Sequence, residues 1–144
     1  MAHANQGTSV HRQAQGLQLS ARLVTEPSRR SHLVGLTVDI AIDPGLHIYG
    51  QPVPEGFIPL SIDVTPRRGL EVGTASFPPP TPRQMEGLDE TLFIYEGQLT
   101  VAIPLTFTSR DNDARLDVNV RYQACGDMGC FMPQTVELHL PVRG

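Results

Sequence analysis

Cys125 and Cys130 are the two cysteines of the chain, with four residues between them. A thiol pair at close range can exchange with a third sulfur, form an inert staple or bind a soft metal. The intervening Gly126-Asp127-Met128-Gly129 carries two glycines, which allow positive backbone dihedrals in a tight connection, and Pro133 ends ladder pairing soon after. Such a loop can bring the sulfurs within bonding range. Exchange needs a thiolate, a second sulfur to resolve the mixed disulfide, and access for a partner. Asp127 lies inside the loop and no Lys or Arg does, so the segment contains no group that favours a thiolate. An ordinary thiol, with a pKa of about 8.5, is only roughly 3% ionised at pH 7.

The elements around the pair read as strands. Leu116, Val118, Val120 and Tyr122 alternate before it, and Val136, Leu138, Leu140 and Val142 alternate after it, which predicts cysteines at the turn of a β-hairpin. Alternation recurs over 17–23, through Val34, Leu36, Val38, Ile40 and Ile42, and through Leu99, Val101, Ile103, Leu105 and Phe107. Shorter strands are expected at 60–64, 70–72 and 93–95. Nothing has the periodicity of a long helix. About eight short strands, broken by turns that draw on 13 glycines and 13 prolines, point to an all-β antiparallel sandwich. Residues 1–16 lack periodicity and read as a flexible lead-in, so the domain is expected over 17–144. The proline-rich, polar stretch from Phe77 to Glu90 reads as a long surface loop.

At 144 residues one domain can build an ordinary core without needing a disulfide to fold. In the chain-entropy account a Cys125–Cys130 bond, closing a six-residue ring, contributes about 2 kcal/mol. That is near the low end for disulfides, and a purely structural staple usually spans more chain; the spacing alone leaves staple and chemistry both open. The formal charge of −4 and the absence of any basic run beyond Arg29-Arg30 and Arg67-Arg68 argue against nucleic acid as a partner. No apolar run approaches the roughly 20 residues needed to span a bilayer, and no secretion signal follows Met1. A domain cut from a longer chain is the expectation.

Tyr122-Gln123-Ala124-Cys125, the short polar loop, Cys130 and Pro133 together resemble the N-terminal periplasmic domain of the transmembrane thiol:disulfide interchange reductases of the DsbD family. Gly45-Leu46-His47-Ile48-Tyr49-Gly50, Pro59-Leu60-Ser61-Ile62 and Tyr95-Glu96-Gly97 fit the same family in the same order. The resemblance covers roughly 17–142. It implies an immunoglobulin-like sandwich with protein-disulfide reductase activity, located in the periplasm and needing no dissociable cofactor. Electrons would arrive from a membrane or thioredoxin-like reductase domain, of the same or another chain, and leave to thioredoxin-fold thiol proteins. The isolated domain would be soluble and the full-length protein membrane-anchored. The resemblance further implies that Cys130 attacks the partner, that Cys125 resolves, that Tyr49 is an active-site tyrosine and that a loop caps the pair. Gln84 to Phe93 is the expected cap, with Leu88, Leu92 and Phe93 as its apolar groups. Phe93 is the first choice for the capping side chain and Leu92 its rival.

Other readings of the same residues stay open. The cysteines can form a structural disulfide in an interaction domain, or Cys125, Met128, Cys130 and Met132 can bind Cu(I) as soft ligands. Zinc would need two further ligands, and His32, His47 and His139 are the histidines within the expected sandwich. His139 falls on the outward face of the last strand. Tyr49 can be a core tyrosine, and Asp127 and Glu86 can be solvated loop charges.

Overall fold

The computed structural model describes residues 9–25, 33–84, 87, 89–108 and 115–142. Among them are thirteen strands, numbered β1 to β13 in chain order, and no helix. β1 (Ser9–Ala14), β2 (Leu17–Thr25), β3 (Leu33–Ile42), β9 (Gln98–Phe107) and β6 (Leu70–Val72) form one sheet, in that order. A second sheet runs β13 (Gln134–Pro141), β10 (Arg115–Tyr122), β5 (Ser61–Val64). A third runs β12 (Gly129–Cys130), β11 (Ala124–Gly126), β4 (Leu46–Tyr49), β8 (Thr91–Tyr95), β7 (Thr81–Gln84). All strand pairs in the three sheets are antiparallel.

The main core follows from side chains alternating across each strand. Leu17, Leu19, Ala21 and Leu23 on β2, Leu36, Val38 and Ile40 on β3, and Leu99, Val101, Ile103 and Leu105 on β9 are buried. They share a core with Leu116, Val118, Val120 and Tyr122 of β10 and Val136, Leu138 and Leu140 of β13. Each buried Val, Leu or Ile among them gains roughly 1.5–3 kcal/mol from leaving water. The result is an immunoglobulin-like antiparallel sandwich, the architecture that the resemblance implies.

Three expectations need correction. The sheet begins at Ser9, ahead of the expected start at Leu17, because β1 pairs with β2 along its whole length. Its side chains are largely exposed, so backbone pairing holds it and no apolar period marks it. Arg12 also ties it across the sandwich by donating to the Glu137 carbonyl at 2.9 Å. Within the expected loop from Phe77 to Glu90, Thr81–Gln84 form the edge strand β7, a place where Pro82 is tolerated. Finally, the cysteines do not sit at a simple β10–β13 turn. After Tyr122 the chain leaves the β10 sheet, and β11 and β12 form a hairpin of their own on the third sheet.

Candidate functional site

The cysteine hairpin is two residues wide at its turn. Cys125 faces Cys130 and Gly126 faces Gly129, leaving Asp127 and Met128 as the connection. Neither of these has a positive φ; Gly129 takes φ +124° instead. Gly126 is needed for a different reason, since a Cβ there would stand 2.8 Å from Leu46 Cδ2 and 3.0 Å from the Gly45 carbonyl. That close approach lets β11 lie against β4. The exit is pinned by the Phe131 amide donating to the Ala124 carbonyl at 2.9 Å and by Gln123 Nε2 donating to the Phe131 carbonyl at 3.2 Å. Cys125 and Cys130 are joined in a disulfide, with their Cα atoms 4.0 Å apart.

The two sulfur-bearing residues differ in environment. Cys125 is 2% exposed and packs with Tyr49, Leu92 and Ile94, flanked by Val53 and Phe57. Cys130 lies at the surface. Around it Met128 is fully exposed, Met132 is 76% exposed and Phe131 is 40% exposed, so the open side of the bond has an apolar rim.

β4 supplies the polar groups beside Cys125. His47 pairs directly with Cys125 across the ladder, and Tyr49 pairs with Ile94 of β8. Directly opposed residues share a face, as do positions two apart on one strand, so His47, Tyr49, Ile94 and Cys125 lie together. His47 Nε2 is 3.3 Å from Tyr49 Oη, and the two rings meet edge to face at 5.3 Å. Phe57 meets Tyr49 in the same manner at 5.0 Å. Burial lowers the His47 pKa, helped by Arg83 and opposed by Glu96 and Asp127. Burial raises the Tyr49 pKa, so the phenol stays protonated near neutrality. Arg83 and Glu96 form an ion pair at 3.0 Å.

Of the expected cap residues, Leu92 is 1% exposed and touches the Cys125 cluster. Phe93, one position on, points to the other face of β8 and is not among the side chains packed round Cys125. Leu88 lies outside the described residues. His139 is exposed on β13 and bonds Asp117 at 2.6 Å through Nδ1.

Residues 15–141 match the family described as thiol:disulfide interchange protein DsbD, N-terminal. The chain belongs to the DsbD N-terminal family. No curated protein sequence matches it. Among solved structures, the N-terminal periplasmic domain of ScsB from Proteus mirabilis is similar with a TM-score of 0.66 and 16% identity, covering 94% of this chain and 52% of that one. The chain thus spans about half of that relative's length. The DsbD N-terminal domain of Neisseria meningitidis in the reduced form has a TM-score of 0.53 and 22% identity, covering 76% of this chain and 78% of that one. The GAE domain of yeast GGA1 reaches a TM-score of 0.53 at 12% identity, over 93% of this chain and 99% of that one, which reflects the fold alone. Beside the cysteines the structure also places Ile94, which the sequence reading did not name, and His47, which that reading named only within the 45–50 motif and as a histidine available to zinc. Placing 46–49 on a strand would have found His47, because it then shares a face with Tyr49.

Proposed function

We propose that this chain is the periplasmic exchange domain of a DsbD-like protein, relaying two electrons through the Cys125/Cys130 dithiol–disulfide couple. The reading rests on the unequal burial of a bonded cysteine pair within a DsbD-family domain: Cys130 is open and Cys125 is enclosed. A reductase-domain thiolate attacks Cys130 Sγ, the intramolecular bond breaks, and Cys125 leaves with the electron pair. The reductase's second thiol then displaces Cys130 and completes the transfer. In the outward half, Cys130 attacks the disulfide of an oxidised thioredoxin-fold protein, and Cys125 attacks the mixed disulfide to regenerate the starting bond. The apolar rim of Met128, Phe131 and Met132 suits contact with such a partner. Tyr49 and Leu92 wall off Cys125.

Cys130→Ser is expected to abolish trapping of a mixed disulfide with a thioredoxin-fold partner, whereas Cys125→Ser accumulates it by removing the resolving thiol. Non-reducing gels with mass spectrometry read both. Equal trapping by the two variants would show the roles to be misassigned. A redox titration separates a shuttle from a structural staple, whose potential lies below about −300 mV.

A further inference from the structure

Accepting the exchange reading above, we propose that His47 is the proton acceptor for Cys125 when Cys125 displaces a partner from Cys130. Three observations carry this. The first is register: His47 is the residue directly across the ladder from Cys125, and opposed Cβ atoms lie about 4.5–5.5 Å apart. The second is enclosure. Cys125 is 2% exposed and its packing neighbours are Leu92, Ile94 and Tyr49, so bulk water is excluded from its sulfur and apolar surroundings disfavour a bare thiolate. The third is that the His47 ring is held in place, 8% exposed, with Nε2 3.3 Å from Tyr49 Oη. When Nε2–H donates to that oxygen, Nδ1 keeps its lone pair for an incoming proton.

The charged groups facing the imidazole fit a transient acceptor. Burial, and then Arg83 on β7, disfavour the charged ring, while Glu96 beyond β8 and Asp127 in the cysteine turn favour the imidazolium. Arg83 and Glu96 are themselves paired, which moderates both effects. The step balances. The Cys125 S–H bond breaks and its proton moves to His47 Nδ1, a Cys125–Cys130 bond forms, the bond from Cys130 to the partner sulfur breaks, and the partner leaves as a thiolate. Water then takes the proton from the imidazolium. In the opposite direction, an imidazolium formed from solvent returns a proton to the departing Cys125 sulfur.

The test mixes fully reduced protein with Ellman's reagent in a stopped-flow instrument. Attack by Cys130 releases one thionitrobenzoate in a concentration-dependent phase, and resolution by Cys125 releases the second in a concentration-independent phase. With a neutral imidazole as base, the wild-type second phase should change less than about twofold between about pH 7 and 8, because the acceptor is already unprotonated. His47→Phe keeps an aromatic ring against Tyr49 but removes the base. Its second phase should instead follow the thiolate fraction, rising nearly tenfold per pH unit and running at least about tenfold slower at pH 7. His47→Ala should be accelerated by added imidazole in proportion to its neutral form. A His47→Phe rate and pH profile equal to wild type, or an His47→Ala variant indifferent to imidazole, overturns the assignment while leaving the exchange reading intact. Absence of any second phase in the wild-type protein overturns the exchange reading itself, and the His47 role with it.

Discussion

Leu92 rests against Cys125 in a cluster that also holds Ile94 and Tyr49, and in the proposed exchange this packing would direct attack to the other sulfur, that of Cys130. A nucleophile must approach a disulfide along the line of the bond it breaks, so a sulfur with its approach filled by side chains is inert whatever its leaving group. Leu92→Ala removes the wall at a buried site and should cost about 2–5 kcal/mol of stability through lost transfer energy and the remaining cavity. It should also make Cys125 a second target. Peptide mapping after glutathione treatment is expected to find adducts at Cys130 alone in wild type and at both cysteines in Leu92→Ala. Phe93→Ala, altering the opposite face of β8, should leave the wild-type pattern. Adducts confined to Cys130 in a folded Leu92→Ala variant would show that some other group closes Cys125. The cysteines are conspicuous in sequence as the chain's two thiols, and the family resemblance points to Tyr49, which the structure places beside Cys125. Sequence alone does not separate Leu92 from Phe93, because choosing between adjacent residues requires the phase of the strand, and β8 is only five residues long.

The third sheet shows where element reading succeeds and fails. Long strands with one buried face, β2, β3, β9, β10 and β13, are legible through alternation. β4 hides its period because His47, Ile48 and Tyr49 are all buried: Ile48 faces the main core while His47 and Tyr49 face the cysteine side. β7 hides for the opposite reason. As an edge strand it is mostly exposed, and it is held by pairing Thr81 with Ile94 through to Gln84 with Thr91. β7 and β8 therefore form a paired ladder, joined in sequence by residues 85–90. Deleting Glu86 to Glu90 and joining the ends with two glycines leaves the ladder and Leu92 in place. If the connection covers Cys130, this deletion should accelerate glutathione reduction several-fold with the far-UV spectrum nearly unchanged. An unchanged rate in a folded variant would make the segment an ordinary turn.

At the scale of the whole molecule, the cysteine pair sits on a fold whose main core does not include it. Cys125 belongs to the smaller apolar cluster, and Cys130 is at the surface, whereas the main core joins β2, β3 and β9 to β10 and β13 without either sulfur. The proposed cycling between disulfide and dithiol requires the domain to keep its shape in both states, and this separation allows it. The bond closes a sequence separation of only five, so the loop entropy that it removes from the unfolded chain amounts to about 2 kcal/mol. The β11–β12 hairpin is also held independently of the sulfurs, by pairing with β4 and by the Phe131 amide on the Ala124 carbonyl. Replacing both cysteines with alanine should thus leave far-UV circular dichroism unchanged and lower Tm by about 4–8 °C, the shift that roughly 2 kcal/mol produces in a domain of this size. Dithiothreitol should lower the wild-type Tm by a similar amount and have no effect on the double variant. Loss of cooperative unfolding in the double variant would mean that the bond is a structural staple, because a domain unable to fold without its disulfide could not pass through the reduced state that electron relay demands.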